Sequence, residues 1–250
     1  MTHMYFAHAA AHVGRERPLL EDYVRAEHLP QGGVATIVCD GMGGAEGGAL
    51  AARTAALSLL DALRSQTTAP TSAAVHAALL GAHEAVRAVA GGVAGMGTTA
   101  VLAWFEEQAC HVGWVGDSRM YLFREGRLVV RTTDHTKVSD MVARGELRPE
   151  QAASHPQANV LSQALGQRTV APSVFEPIPL AAGDVVLLCS DGLYEMIPND
   201  EELHGLIEGR PYEDAVTSLI DEANRRGGHD NVGVAIVVAG QRKIPGRGAR

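Results

Sequence analysis

Between Thr98 and Arg131 the chain contains four apolar, strand-like runs, Thr98 to Phe105, Ala109 to Val115, Met120 to Arg124 and Arg127 to Arg131. Only Glu-Glu-Gln, a turn built on Gly-Asp-Ser, and Glu-Gly separate them. Parallel neighbours need a crossover of roughly a dozen residues, so these runs can pair only antiparallel, and the spacing predicts a β-meander. Met4 to Val13 and Gly33 to Cys39 also read as strands, with a charged loop between them, as do the buried runs Asp184 to Cys189 and Val232 to Val238. Helical spacing of Val75, Leu79, Ala82, Val86 and Val89, and an Ala/Leu-rich stretch from Ala45 to Ser65, predict two consecutive core-facing helices. A third amphipathic helix is expected over Tyr212 to Arg226. Thr136 to Pro172 is a polar surface excursion with short helical patches at Val138 to Arg144 and Pro149 to Ala153. No repeat or internal boundary interrupts the pattern. Residues 1–240 are expected to form one domain, and the basic, Gly/Pro-containing Gln241 to Arg250 a disordered tail.

Composition narrows the function classes. A net charge of -8 would repel a polyanion, which argues against nucleic acid or an anionic membrane as the main partner. No apolar stretch approaches the ~20 residues of a membrane span. Three cysteines and no recognisable leader predict a reducing, cytoplasmic setting. The acids are placed more tellingly. Asp40 follows the run Val34 to Cys39, Asp191 follows Asp184 to Cys189 by one serine, and Asp230 precedes Val232 to Val238, while Glu21 and Asp22 lie in the loop after the first strand. An isolated Asp-Gly is first a turn signal, and Gly227-Gly228 can be a simple helix cap. Their joint occurrence beside buried strands points to acids converging on one site. Such a cluster is electrostatically costly unless metal ions fill it. With oxygen donors and no His/Cys ligand spacing, those ions would be Mg²⁺ or Mn²⁺.

Eight motifs then follow in order: Arg17-x-x-x-Glu21-Asp22, Val38-Cys-Asp-Gly-Met-Gly-Gly44, Gly95-Met-Gly-Thr-Thr99, Val115-Gly-Asp-Ser-Arg119, Thr133-Asp-His135, Leu161-x-x-Ala-Leu-Gly166, Ser190-Asp-Gly-Leu193 and His229-Asp-Asn231. Each is weak alone. In sequence they resemble the protein phosphatase 2C family of metal-dependent serine/threonine phosphatases, in its compact bacterial branch, over about residues 5 to 238. The resemblance implies an α+β fold, a four-layer αββα sandwich of two mainly antiparallel sheets flanked by helices. It implies that Asp40 bridges two core metals, the Gly41 carbonyl ligates one, Asp191 and Asp230 hold the other, and Glu21 and Asp22 act through ordered water. Asp117 with Asp191 matches the pair that holds a third, weaker ion. Arg17 is expected to clamp the phosphoryl group, Asn231 to orient Asp230 or a metal-bound water, and a bridging hydroxide to attack phosphorus.

Two departures from the family pattern stand out. Met42 occupies the place where many eukaryotic members carry a histidine taken as the general acid, so the resemblance implies that the leaving-group proton comes from metal-bound water or another group, with His135 and His229 as nearby candidates. Leu20 replaces the usual asparagine before the Glu-Asp pair. Cys39, Cys110 and Cys189 lie in apolar runs and are expected to be structural. The excursion 136–172 matches a flap beside the active site, which would set substrate preference. The expected partners are phosphorylated proteins and an opposing bacterial Ser/Thr kinase, and the expected state is a monomer. The alternative is a catalytically weak regulatory module that binds phosphoproteins. Retention of Asp40, Asp117, Asp191 and Asp230 favours the enzyme.

Overall fold

The computed structural model describes residues 3–44, 46–93, 95–152 and 154–241. In chain order the elements are β1 (His3–His12), β2 (Asp22–His28), β3 (Val34–Met42), α1 (Glu46–Arg64), α2 (Ser72–Ala90), β4 (Gly97–Thr98), β5 (Ala100–Glu106), β6 (Ala109–Val115), β7 (Arg119–Arg124) and β8 (Arg127–Arg131). There follow α3 (Lys137–Ala143), α4 (Pro149–Ala152), β9 (Ser173–Val174), β10 (Ile178–Pro179), β11 (Val185–Cys189), α5 (Asp191–Tyr194), α6 (Asp200–Ile207), α7 (Tyr212–Arg225) and β12 (Val232–Gln241). The tail beyond Gln241 lies outside the described residues. Among those residues no helix is long and apolar enough to cross a membrane.

The strands form two antiparallel sheets, one ordered β1-β12-β11-β7-β8 and the other β10-β6-β5-β3-β2, with β4 added to β3 and β9 to β6. Period-2 alternation then generates four layers. On β5, Ala100, Leu102 and Trp104 face the α1–α2 layer, whereas Val101, Ala103 and Phe105 face the opposite sheet. On β12, Ala235 and Val237 point between the sheets, and Val232, Val234 and Ile236 point towards the helical layer of α5, α6 and α7. The result is the αββα sandwich implied by the resemblance, with three apolar cores.

Three expectations change. The charged loop is in part β2, which pairs with β3 over its whole length, Asp22 opposite Asp40 through His28 opposite Val34. Its Arg25 and Glu27 obscure the pattern because β2 is an edge strand, where charged side chains reach solvent without leaving the ladder. Glu27 is held bidentate by Arg64 of α1, at 2.8 and 2.7 Å. The meander is also broken: β5 and β6 belong to one sheet, β7 and β8 to the other. A short spacer excludes a parallel partner but not a change of sheet, and Gly116 makes that change at φ 97°. A Cβ there would lie 2.7 Å from the Thr99 side chain. Finally, Gln241 ends β12 rather than beginning the tail.

Candidate metal centre

The sheet change and the strand ends bring the acids together. Asp40 lies near the end of β3, Asp117 in the turn between sheets, Asp191 at the first position of α5, and Asp230 just before β12. With Arg17, Glu21, Gly41 and Asn231 they line one cleft of about 550 Å³, closed on the other side by Asn159, Val160, Leu161 and Gln167. Asp22 does not reach the cleft wall. It is buried opposite Asp40, where Ser190 Oγ donates to its Oδ2 at 2.6 Å and Gly233 N–H in turn donates to Ser190 Oγ at 2.8 Å.

Close backbone approach makes the convergence possible. A Cβ on Gly192 would stand 2.0 Å from the Asn231 carbonyl oxygen and 3.4 Å from the Asp230 Cβ, so only glycine lets α5 press Asp191 against the Asp230–Asn231 segment. Asp40 is held by Thr98 and Thr99. Its carbonyl accepts from Thr98 Oγ1 and Thr99 N–H, each at 2.8 Å, and its N–H donates to Thr99 Oγ1 at 3.0 Å. Thr99 Oγ1 also meets Ser118 Oγ at 2.6 Å, joining β3 to the Asp117 turn.

Electrostatically the cluster is strained. Burial, then the charges of Asp22, Asp191, Asp117 and Asp230, push the Asp40 carboxyl well above its ordinary range. Burial, then Asp117, Asp230 and Asp22, do the same for Asp191. Asp22 is pushed up to about 7, mainly by burial, as is Asp117, with Asp134 adding to burial there. The Glu21 Oε1, Asp22 Oδ1 and Asp191 Oδ1 atoms are buried without a hydrogen-bond partner. Carboxylate oxygens left in this condition are the donors a hard divalent cation accepts, and among the described residues the cleft wall carries no His or Cys. The donor set therefore fits Mg²⁺ or Mn²⁺. Among the described residues no three His, Cys, Asp or Glu side chains form a ready cage for one ion. Ions here would retain ordered water, as hard cations with few protein ligands do.

The Protein phosphatase 2C family model matches residues 10–230. The chain belongs to the protein phosphatase 2C family. It is 34% identical over 240 residues to protein phosphatase PhpP of Streptococcus pneumoniae, covering 90% of this chain and 94% of that protein. The solved S. agalactiae serine/threonine phosphatase superposes with a TM-score of 0.88 at 28% identity, over 94% of this chain and all (100%) of that one. The catalytic domain of the serine/threonine phosphatase PstP, solved in complex with two manganese ions, superposes with a TM-score of 0.83 at 29% identity, covering 96% and 100% of the two chains. This protein phosphatase 2C chain is accordingly a metal-dependent protein-serine/threonine phosphatase acting on phosphoproteins.

Other candidate side chains of this phosphatase are placed by their local contacts. Arg17, half-exposed on the cleft rim, donates from Nη2 to Asp230 Oδ2 at 2.6 Å. The Asn231 amide does not reach Asp230. Its Oδ1 accepts from Glu21 N–H at 2.6 Å and its Nδ2 donates to the carbonyls of Val13 at 2.8 Å and Leu19 at 2.9 Å. The Asn231 backbone N–H instead donates to Asp230 Oδ1 at 2.8 Å. Neither His135 nor His229 lines the cleft. His135 is buried with its pKa lowered by burial, accepting from Gly116 N–H at 3.2 Å, and His229 is paired with Glu16 at 2.6 Å. All three cysteines are buried free thiols, each pushed up chiefly by burial, which suits packing rather than nucleophilic attack. Thr98, Thr99, Ser118 and Ser190 lie inside the quoted motifs but carry no role in the sequence reading. The Gly-Thr-Thr motif was the one available signal for the first two.

Proposed function

We propose that the cleft hydrolyses phosphoserine and phosphothreonine esters of proteins, with two divalent ions, Mn²⁺ or Mg²⁺, held by Asp40, the Gly41 carbonyl, Asp191 and Asp230. Glu21 and Asp22 assist through ordered water, and a third, weaker ion sits at Asp117 with Asp191. The observation that carries this reading is the convergence of acids on one cleft with Arg17, where Glu21 and Asp191 each leave a buried oxygen without a hydrogen-bond partner. Divalent ions at these acids would supply an activated water for in-line attack and positive charge for the phosphoryl oxygens. Arg17 spends one N–H on Asp230, which leaves most of its five donors to grip a phosphoryl group. The Asn231 backbone N–H holds Asp230, and Thr98 with Thr99 hold Asp40, so both acids meet the substrate preorganised.

Residues 1–240 act as one catalytic domain, with the flap 136–172 setting substrate preference. The enzyme opposes a Ser/Thr kinase, as a cytoplasmic monomer. Hydrolysis of an aryl phosphate and of a phosphothreonine peptide, measured with Mn²⁺, Mg²⁺ or excess chelator, tests the reading beside Asp40→Asn. Metal-dependent turnover abolished by Asp40→Asn is expected. Turnover that survives the chelator, or survives Asp40→Asn, sinks the assignment.

A further inference from the structure

We infer that Arg119 is a positioning residue that fixes the separation of Asp117 and Asp191, and so the affinity of the ion this pair holds; the inference rests on the metal-centre reading above. Arg119 opens β7 two residues after Asp117, and in the β7–β11 ladder it stands opposite Cys189, two residues before Asp191. Asp117 and Asp191 thus leave the same end of the ladder, each two residues beyond the Arg119–Cys189 pair.

Its guanidinium joins three segments. Nε and Nη2 donate to Asp134 Oδ1 and Oδ2 at 2.9 and 2.7 Å, and Nη1 donates to the Tyr121 hydroxyl at 3.2 Å. The guanidinium carbon sits 3.5 Å from the centre of the Tyr194 ring. Tyr194 ends the short helix that Asp191 begins, so the stacking contact fixes where that helix lies. Asp134 precedes His135, whose N–H donates to the Gly116 carbonyl at 2.9 Å and whose Nδ1 accepts from Gly116 N–H. One side of the guanidinium thus secures the turn that carries Asp117, and its face secures the helix that carries Asp191.

Arginine is required by geometry. A planar fork can bind a carboxylate at two points and stack on a ring at once, whereas a lysine ammonium is a compact point charge that cannot do both. The pair is also largely shielded, with side-chain exposures of 20% for Arg119 and 17% for Asp134, so it exceeds an ordinary surface ion pair in value. The sheet does not depend on it, because β7 is hydrogen-bonded to β8 and β11 through its backbone. Arg119→Lys should therefore fold.

The test is titration calorimetry of the metal-stripped full chain with Mn²⁺, beside thermal unfolding in chelator. The wild type should show a tight class of sites and a weaker one. In Arg119→Lys the weaker class should lose roughly 10–100-fold in affinity, the range typical when an outer partner of a ligand is lost, while the tight class, which shares Asp191 but is also held by Asp40 and Asp230, should weaken several-fold less. Tyr194→Leu should reproduce this defect, and Tyr194→Phe, which keeps the ring, should not. Arg119→Lys and Tyr194→Leu titrations that match wild type overturn the inference, as does a wild-type titration with no weaker class. A wild type that binds no Mn²⁺ and hydrolyses no aryl phosphate defeats the metal-centre reading itself. Equal weakening of both classes together with a collapse in thermal stability would reduce Arg119 to a general structural role and so overturn the inference too.

Discussion

Replacing Asn231 with alanine should act mainly on the loop from Val13 to Glu21 rather than on the chemistry. The buried amide makes three bonds to that loop, to Glu21 N–H and to the carbonyls of Val13 and Leu19. A hydrogen bond contributes about 1 kcal/mol net, and an orphaned buried partner costs ~1–3 kcal/mol. The loop lies near the surface, so water replaces part of what is lost, and the expected destabilisation is about 3 kcal/mol. For a domain of this size that lowers Tm by roughly 6–12 °C. The near-isosteric Asn231→Asp should be at least as damaging. It keeps an acceptor for Glu21 N–H but turns a carboxylate oxygen towards two carbonyls and adds charge to a cluster already crowded with acids. Urea unfolding in chelator, with hydrogen exchange read at residues 13–21, measures both effects. Because Arg17 rides on this loop, kcat/KM for a phosphopeptide should fall chiefly through KM. A loss in Asn231→Ala of less than about 1 kcal/mol, with unchanged exchange at 13–21 but a large fall in kcat, would refute the reasoning and place Asn231 at the reaction itself.

Two further outcomes follow from the cluster and its backbone. The folded-state carboxyls of Asp22 and Asp117 are raised to about 7 from an ordinary 3.8, and those of Asp40 and Asp191 move the same way. Between about pH 4 and 7 the folded chain then binds more protons than the unfolded one, so stability falls as pH rises through that window. Thermal unfolding in chelator should give a higher Tm at pH 5.5 than at pH 8, with the difference shrinking in Mn²⁺; the opposite slope in chelator would show that the acids are not mutually strained. Gly192→Ala drives a Cβ to 2.0 Å from a carbonyl oxygen and should cost ~1–3 kcal/mol together with Mn²⁺ affinity. Gly81→Ala on α2, where nothing lies within 4 Å, should instead stabilise by ~0.5–1 kcal/mol, and equal effects at the two positions would contradict the close-packing argument.

What was legible in the sequence was what local pattern encodes. The runs Val185–Cys189 and Val232–Val238 are apolar because both faces are covered, one by the other sheet and one by helices, so their continuous hydrophobicity shows from sequence alone. The helices α1, α2 and α7 carry their own period. Asp40, Asp191 and Asp230 could be read as a group because each adjoins such a run. What could not be read depends on distant partners. β2 is a strand because β3 and Arg64 complete it, not because its own residues alternate cleanly. The Asn231 amide binds residues more than two hundred positions away, and no local signal distinguishes that from an amide aimed at Asp230. The sheet change at Gly116 looks in sequence like any tight bend, since glycine at positive φ serves both.

The acid cluster is the place where local and global requirements conflict, and that conflict is itself informative. Folding alone would not select acids pressed together with three buried oxygens lacking partners, because each orphaned oxygen and each like-charge contact opposes the compact state. Yet the surrounding structure is built to enforce the arrangement. Gly192 leaves α5 no room for a side chain, Thr98 and Thr99 fix Asp40 from two sides, and Ser190 holds Asp22 in place. A scaffold that spends this many specific contacts to keep like charges close is organised around a species that is itself positive. The strain in the metal-free cluster and its capacity to gather divalent ions have the same origin, so a substitution that relaxes the first should also weaken the second.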